Sequence, residues 1–131
     1  MPFESILVVD DEPVVLGAVA ATLRHAGYRV LAASSAGEAL EIGRKWLDAI
    51  DLMVCDVVIP DQSGPSLADG FRGIHPETRY LFIAGLPDHP DVRLRVLDCG
   101  RAFLAKPFMP RDLLHKVRHV LDTVIAMSAR A

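Results

Sequence analysis

Short, unbroken apolar runs alternate five times with longer stretches in which apolar residues recur every three or four positions. "SILVVD" is apolar up to its acid, and "YRVLAA", "DLMVCDVV", "RYLFIAG" and "AFLAKP" follow in the same style. Runs this short, with little polar alternation, predict strands buried on both faces. Between the first two, "PVVLGAVAATLRHAG" carries Val15, Val19 and Leu23 at helical spacing, with Gly27 as its stop. "SAGEALEIGRKWL" predicts a second helix, with Ser35 as N-cap and Glu38 three residues on. After the breaker-rich "IPDQSGP", "SLADGFRGIH" predicts a weaker third helix interrupted by glycines. "HPDVRLRVLDCG" predicts a short fourth helix closed by Gly100. The last helix runs from Pro110 to about Met127, and Leu113, Leu114, Val117, Val120, Leu121 and Val124 give it one broad apolar face.

Alternating strands and helices predict an α/β fold, a parallel sheet with right-handed crossovers and helices on both faces. The 131 residues suit one domain, with its core over residues 4–125 and a frayed tail over 126–131. Composition, 51% apolar and 24% charged, fits an ordinary globular chain and adds no further class. Charge narrows the choice more. A net −3 without a basic stripe argues against direct nucleic-acid binding, which needs clustered Lys and Arg. No apolar run reaches the ~18 residues of a membrane span. "MPFES" lacks the basic and apolar segments of a secretory leader, so a cytoplasmic domain is expected. Cys55 and Cys99 are too few for a disulfide scaffold or zinc cluster, and Cys55, inside an apolar run, reads as a buried thiol.

Candidate chemistry gathers at strand ends, where open parallel sheets bind their ligands. Asp10 and Asp11 close the first strand, Asp56 the third and Lys106 the fifth. If these three strands lie side by side, all four side chains converge on one crevice. Carboxylates crowded in this way raise one another's pKa unless a cation joins them. Oxygen-only donors with room for water suit Mg²⁺, and Lys106 adds a point charge suited to phosphate. Alone, "DDE" after a strand reads equally as a solvated turn; Asp56 and Lys106 at matching strand ends favour the metal site. His115 and His119 have the spacing of a metal pair. They lie opposite the apolar face of the last helix, beside Lys116 and Arg118, and read as a solvated face.

"ILVVDDEP", "LMVCDVVIPDQSG" and "FLAKPF" resemble, in order and spacing, the three signature segments of the receiver domain of two-component response regulators. The resemblance covers essentially the whole chain and implies a flavodoxin-like (CheY-like) five-stranded sheet in the order 2-1-3-4-5. It implies that Asp56 is the phosphoacceptor, attacking a phosphohistidine on a histidine kinase or histidine phosphotransfer protein. Mg²⁺ would be held by Asp10, Asp11, Asp56 and the backbone carbonyl of Val58, with Asp11 binding directly and Asp10 largely through water. Lys106 would hold a phosphoryl oxygen, and its bond to Pro107 is expected to be cis. Gly64 resembles the glycine that turns the loop after the acceptor strand. Such a domain is not an enzyme in the usual sense. It works free-standing or as the receiver segment of a hybrid histidine kinase, whose "LFxSG" style "LFIAG" resembles. The surface made by the fourth helix, fifth strand and last helix would dock a target protein or a second copy, with Arg93, Arg95, Arg101 and Arg111 in that region.

One position departs from the family pattern. Receivers usually carry Thr or Ser at the end of the fourth strand, drawn toward the phosphoryl group, while an aromatic residue of the fifth strand turns inward behind it. Ala84 and Phe103 stand at these positions. A methyl replaces the hydroxyl, so phosphorylation with weakened switching is expected. Val58 and Leu86 are apolar where many receivers are polar, which is expected to slow loss of the phosphoryl group. Two other readings stay open. A pseudo-receiver acting as a constitutive binding module is supported by Ala84. An aspartyl-phosphate phosphohydrolase needs a second acid two residues after its nucleophile, where this chain has Val58.

Overall fold

The computed structural model describes residues 4–59, 61–85 and 102–128. In chain order they form β1 (Ser5–Val9), α1 (Pro13–His25), β2 (Arg29–Ala33), α2 (Ala36–Lys45), β3 (Leu52–Asp56), α3 (Gly64–Phe71), β4 (Arg79–Gly85), β5 (Ala102–Lys106) and a last helix, α4 (Pro110–Ser128). The helix expected over residues 89–100 lies outside the described residues, as do Leu86, Arg93, Arg95, Cys99 and Arg101. So do the last three residues of the expected frayed tail; α4 itself reaches Ser128. All five strands pair in parallel in the order β2-β1-β3-β4-β5, the α/β arrangement that the alternation and the resemblance imply. In this order β1 and β3 are neighbours and β4 stands between β3 and β5, so the condition that all three acid- and lysine-bearing strands lie side by side is met for β1 and β3 but not for β5.

Local signals act where the sequence places them. Gly27 adopts φ 105°, and the Tyr28 and Gly27 amides donate to Leu23 and Arg24 carbonyls at 3.2 and 3.0 Å, closing α1 with the paired bonds of a Schellman end. Ser35 caps α2, its hydroxyl accepting the Glu38 amide at 3.1 Å. Glu38 reaches back to the amide of Ser34, one residue before the cap. α3 starts two residues before the expected "SLADGF" because Ser63 caps it and accepts from the Ser66 amide. It ends at Phe71, leaving residues 72–75 as a turn toward β4.

Strand alternation sorts the core into two layers. Ile6, Val8, Leu52, Val54, Leu81 and Ile83 face α1 and α4, meeting Val19, Leu23, Leu113 and Val117. Leu7, Val9, Met53, Cys55, Tyr80 and Phe82 face α2 and α3, meeting Ala39, Leu67 and Phe71. Burial on both faces is why these strands read as unbroken apolar runs. The buried Cys55 thiol is pushed well up by desolvation, as its place in such a run implies. On the second layer α2 crosses α3 closely at Gly43: a Cβ there would lie 2.5 Å from Phe71 Cε1. Phe71 is fully buried and stacks on His75, whose Nε2 lies 2.8 Å from the Gly43 carbonyl oxygen.

Gly43→Ala is therefore expected to destabilise the fold by about 1–3 kcal/mol through overpacking, although alanine favours helix. Urea unfolding checks it: the midpoint should fall with an unchanged slope.

Candidate functional site

The carboxyl edge of the sheet carries the acids because β1 and β3 end level with each other. Val9 pairs with Cys55, which brings the next residues, Asp10 and Asp56, opposite one another. Asp11 follows at the mouth of the loop to α1 and is exposed, while Asp10 is only 3% exposed. One carboxylate oxygen from each of Asp10, Asp11 and Asp56 lies within 4.8 Å of the others, the one such group of metal-ligating side chains among the described residues. The Glu12 amide donates to Asp10 Oδ1 at 2.9 Å, and the Val58 amide donates to Asp56 Oδ1 at 3.0 Å. Each buried carboxylate is thus aimed by an amide two residues ahead of it.

Lys106 completes the cluster from two strands away, a gap of about 10 Å at ordinary strand spacing. Its register partner in β4 is Gly85, which sets no side chain directly beside the lysine, while Asp56 pairs with Ile83 two residues earlier on the same face. Nζ reaches Asp56 Oδ2 at 2.9 Å, and Glu12 Oε1 lies 3.7 Å away. Burial pulls the ammonium's pKa down, but the Asp56 hydrogen bond and the charges of Asp56, Asp10 and Glu12 outweigh it, and the net shift is upward. The Lys106–Pro107 bond is cis, as expected.

The other expected residues fall as follows. Val58 lies just past β3 in an isolated bridge with Ser63 and is 40% exposed. The bond across that bridge, from the Gly64 amide, goes to the Val57 carbonyl at 2.7 Å rather than to that of Val58. Gly64 has a role different from turning the loop: it opens α3, and a Cβ there would lie 2.7 Å from the Asp56 carbonyl oxygen and 3.1 Å from Val57 Cα. Close approach of backbone to backbone requires glycine here. Ala84 is buried and shares the α2–α3 layer with Phe103, which packs on it partly exposed. Asp56 and Lys106 continue the alternation of the opposite layer, after Val54 and Leu104. His115 and His119 are exposed on α4, in keeping with a solvated face. Sequence reasoning missed Asp61, whose carboxylate accepts the Ala36 and Gly37 amides at the start of α2. A loop aspartate beside Pro60 signals a turn, and nothing in the sequence says that its partners lie 25 and 24 residues earlier.

The donor set fits Mg²⁺: hard carboxylate oxygens, gathered without thiolate or imidazole, and open to water at Asp11. Asp10 shows what gathering them entails. Desolvation, more than the nearby charges of Asp56 and Asp11, raises its pKa from 3.8 to about 6. The folded chain therefore holds a proton on Asp10 at a pH where the unfolded chain has released it. Stability of the metal-free fold should fall as pH rises from about 4 to about 6, and stay reduced above. Asp10→Asn keeps an acceptor for the Glu12 amide and removes the charge. It should flatten that slope and stabilise the metal-free chain at pH 7, on the order of 1–3 kcal/mol. Urea titrations of both chains across that pH range check it.

Comparison with known proteins agrees with this geometry. The family model of the response regulator receiver domain matches residues 6–118. The sensor kinase CckA of Brucella abortus is 36% identical over 117 residues, 89% of this chain and 12% of the kinase. The transcriptional regulatory protein CreB of Escherichia coli is 31% identical over 125 residues, 95% of this chain and 53% of that protein. The chain thus spans about half, or far less, of the length of these curated relatives. A CheY-like receiver domain protein from Methanospirillum hungatei superposes with a TM-score of 0.81 at 30% identity, covering 92% of this chain and 95% of that one. The receiver domain of the hybrid histidine kinase CckA gives a TM-score of 0.75 at 33% identity, covering 90% of this chain and 99% of that one. With its strand order and its strand-end acids, this chain belongs to the response regulator receiver domain family of two-component systems.

Proposed function

We propose that the domain takes a phosphoryl group from a phosphohistidine of a histidine kinase or a histidine phosphotransfer protein onto Asp56, with Mg²⁺ bound. The observation that carries this reading is the 2.9 Å pairing of Lys106 Nζ with Asp56 Oδ2 beside the carboxylates of Asp10 and Asp11. In the transfer an Asp56 oxygen attacks phosphorus. The O–P bond forms as the P–N bond to the donor imidazole breaks, and the leaving nitrogen keeps the electron pair. Asp10, Asp11, Asp56 and the Val58 carbonyl would hold the metal. Bound there, it would offset charge on the transferring group. Lys106 would move its hydrogen bond from Asp56 to a phosphoryl oxygen, a charge-assisted contact at either end. The Val58 amide fixes the Asp56 carboxyl plane for in-line approach.

Ala84 supports a further part of the reading. A hydroxyl at this place would bond the phosphoryl group, and its loss forfeits roughly 1.5–3 kcal/mol of charged hydrogen bonding. A ligand shifts a conformational equilibrium only by its differential affinity, so Phe103 should respond weakly to phosphorylation. Likeness to the CckA receiver, and the segment "LFIAG", support work within or beside a hybrid kinase. A pairing with a target protein or second copy through β5 and α4 is part of this reading; direct contact with nucleic acid is not. No helix among the described residues is long and apolar enough to cross a membrane, which suits a receiver working in the cytoplasm.

Phosphotransfer from radiolabelled kinase domains should label the native chain and leave Asp56→Ala unlabelled. Label persisting on Asp56→Ala would overturn the assignment. Beryllofluoride with Mg²⁺ should bind the native chain at Asp56 yet shift the α4 amide resonances little, and Ala84→Thr should enlarge those shifts. Equal shifts in both chains would remove the weak-switch reading, and no binding at all would favour the pseudo-receiver.

A further inference from the structure

We infer that Asp61 is a positioning residue for the metal site, clamping the loop that follows Asp56 onto the first turn of α2. This rests on the reading of Asp56 and its neighbours as a Mg²⁺-dependent phosphoacceptor. Asp61 is exposed, yet both of its oxygens are engaged: Oδ1 accepts the Ala36 amide at 3.1 Å and Oδ2 the Gly37 amide at 3.0 Å. Ser35 takes the third amide of that turn, from Glu38. An ordinary loop aspartate bonds amides a residue or two away; this one joins segments 24 and 25 residues apart. Its charge also sits at the positive end of a helix dipole, where a carboxylate is favoured. The Gly37 and Ala36 amides lower its pKa.

What the clamp joins decides its role. Between Asp56 and α3 the chain is fixed at its root, by the Val57 amide on the Ile83 carbonyl and the Val58 amide on Asp56, and at its exit, by the Gly64 amide on the Val57 carbonyl. Between them Gln62 accepts from the Ser66 hydroxyl of the neighbouring α3, and Asp61 ties the loop to α2. The other end of the clamp is itself tied to the site, because the Asp10 amide donates to the carbonyl of Ala33, three residues before Ala36. The acid-bearing end of β1 and the loop carrying the Val58 carbonyl are thereby referenced to one rigid object, the α2 N-terminus. Release of Asp61 leaves Asp10 in place but lets the Val58 segment drift relative to it. Linkage makes the effect reciprocal: if the clamp favours Mg²⁺, Mg²⁺ must favour the clamp by the same factor.

The test uses the full chain, MgCl₂ and amide NMR. In the native chain Mg²⁺ should slow hydrogen exchange of the Ala36 and Gly37 amides about five-fold or more, and Asp61→Ala should weaken Mg²⁺ binding by a similar factor. Asp61→Asn retains one acceptor oxygen and should recover part of the loss, and it serves if Asp61→Ala folds poorly. Ser35→Ala removes a cap from the same helix end without touching the clamp; it should lower the urea midpoint and leave Mg²⁺ affinity unchanged. Equal Mg²⁺ affinity in native and Asp61→Ala chains overturns the inference, as does an equal loss in Ser35→Ala. Failure of the native chain to bind Mg²⁺ overturns the phosphoacceptor reading and the inference with it, and so stands apart from those outcomes.

Discussion

Three carboxylates within 4.8 Å of one another, two of them buried, are an arrangement that a chain does not adopt by default. Each repels the others, and Asp10 has given up most of its water. The fold holds them there because β1 and β3 end at the same level in a sheet packed on both sides, so neither strand can slip to relieve the repulsion. Lys106 offsets part of the charge from β5, and amides of Glu12 and Val58 take up one oxygen each on Asp10 and Asp56. The cluster works against stability in the metal-free chain, and the same crowding is what the proposed Mg²⁺ would relieve.

The two faces of the sheet divide the labour. Asp56 and Lys106 continue the layer that packs on α1 and α4, whereas Ala84 and Phe103 belong to the layer on α2 and α3. At the end of β4, Ala84 places a methyl group in the second of these layers, on the face opposite the acids. Under the proposed function, acceptor chemistry and readout would therefore be physically separable.

Glycines mark where backbone approaches something closely. Gly64 lets α3 start against the Asp56 carbonyl, and Gly43 lets α2 rest on the Phe71 ring. Among the described residues, only at Gly27 does a left-handed backbone require the residue. The first two serve packing, and the third ends a helix.

Strand and helix identities, the two-sided burial of the sheet, the Ser35 cap and the Gly27 stop are legible in the chain itself, because period and capping are local properties. The candidate acids were legible too, since an acid at the end of a buried run is conspicuous; the departure at Ala84 needed the family pattern to be noticed. Tertiary structure decided the rest. That Lys106 reaches Asp56 across an intervening strand depends on strand order and on Gly85 lying opposite it. That burial, more than neighbouring charge, raises the Asp10 pKa depends on the folded chain leaving that residue only 3% exposed. That Asp61 holds a helix 25 residues earlier depends on where two loops meet in space. Contacts between distant segments leave no periodicity in the chain, and only the folded sheet brings their partners together.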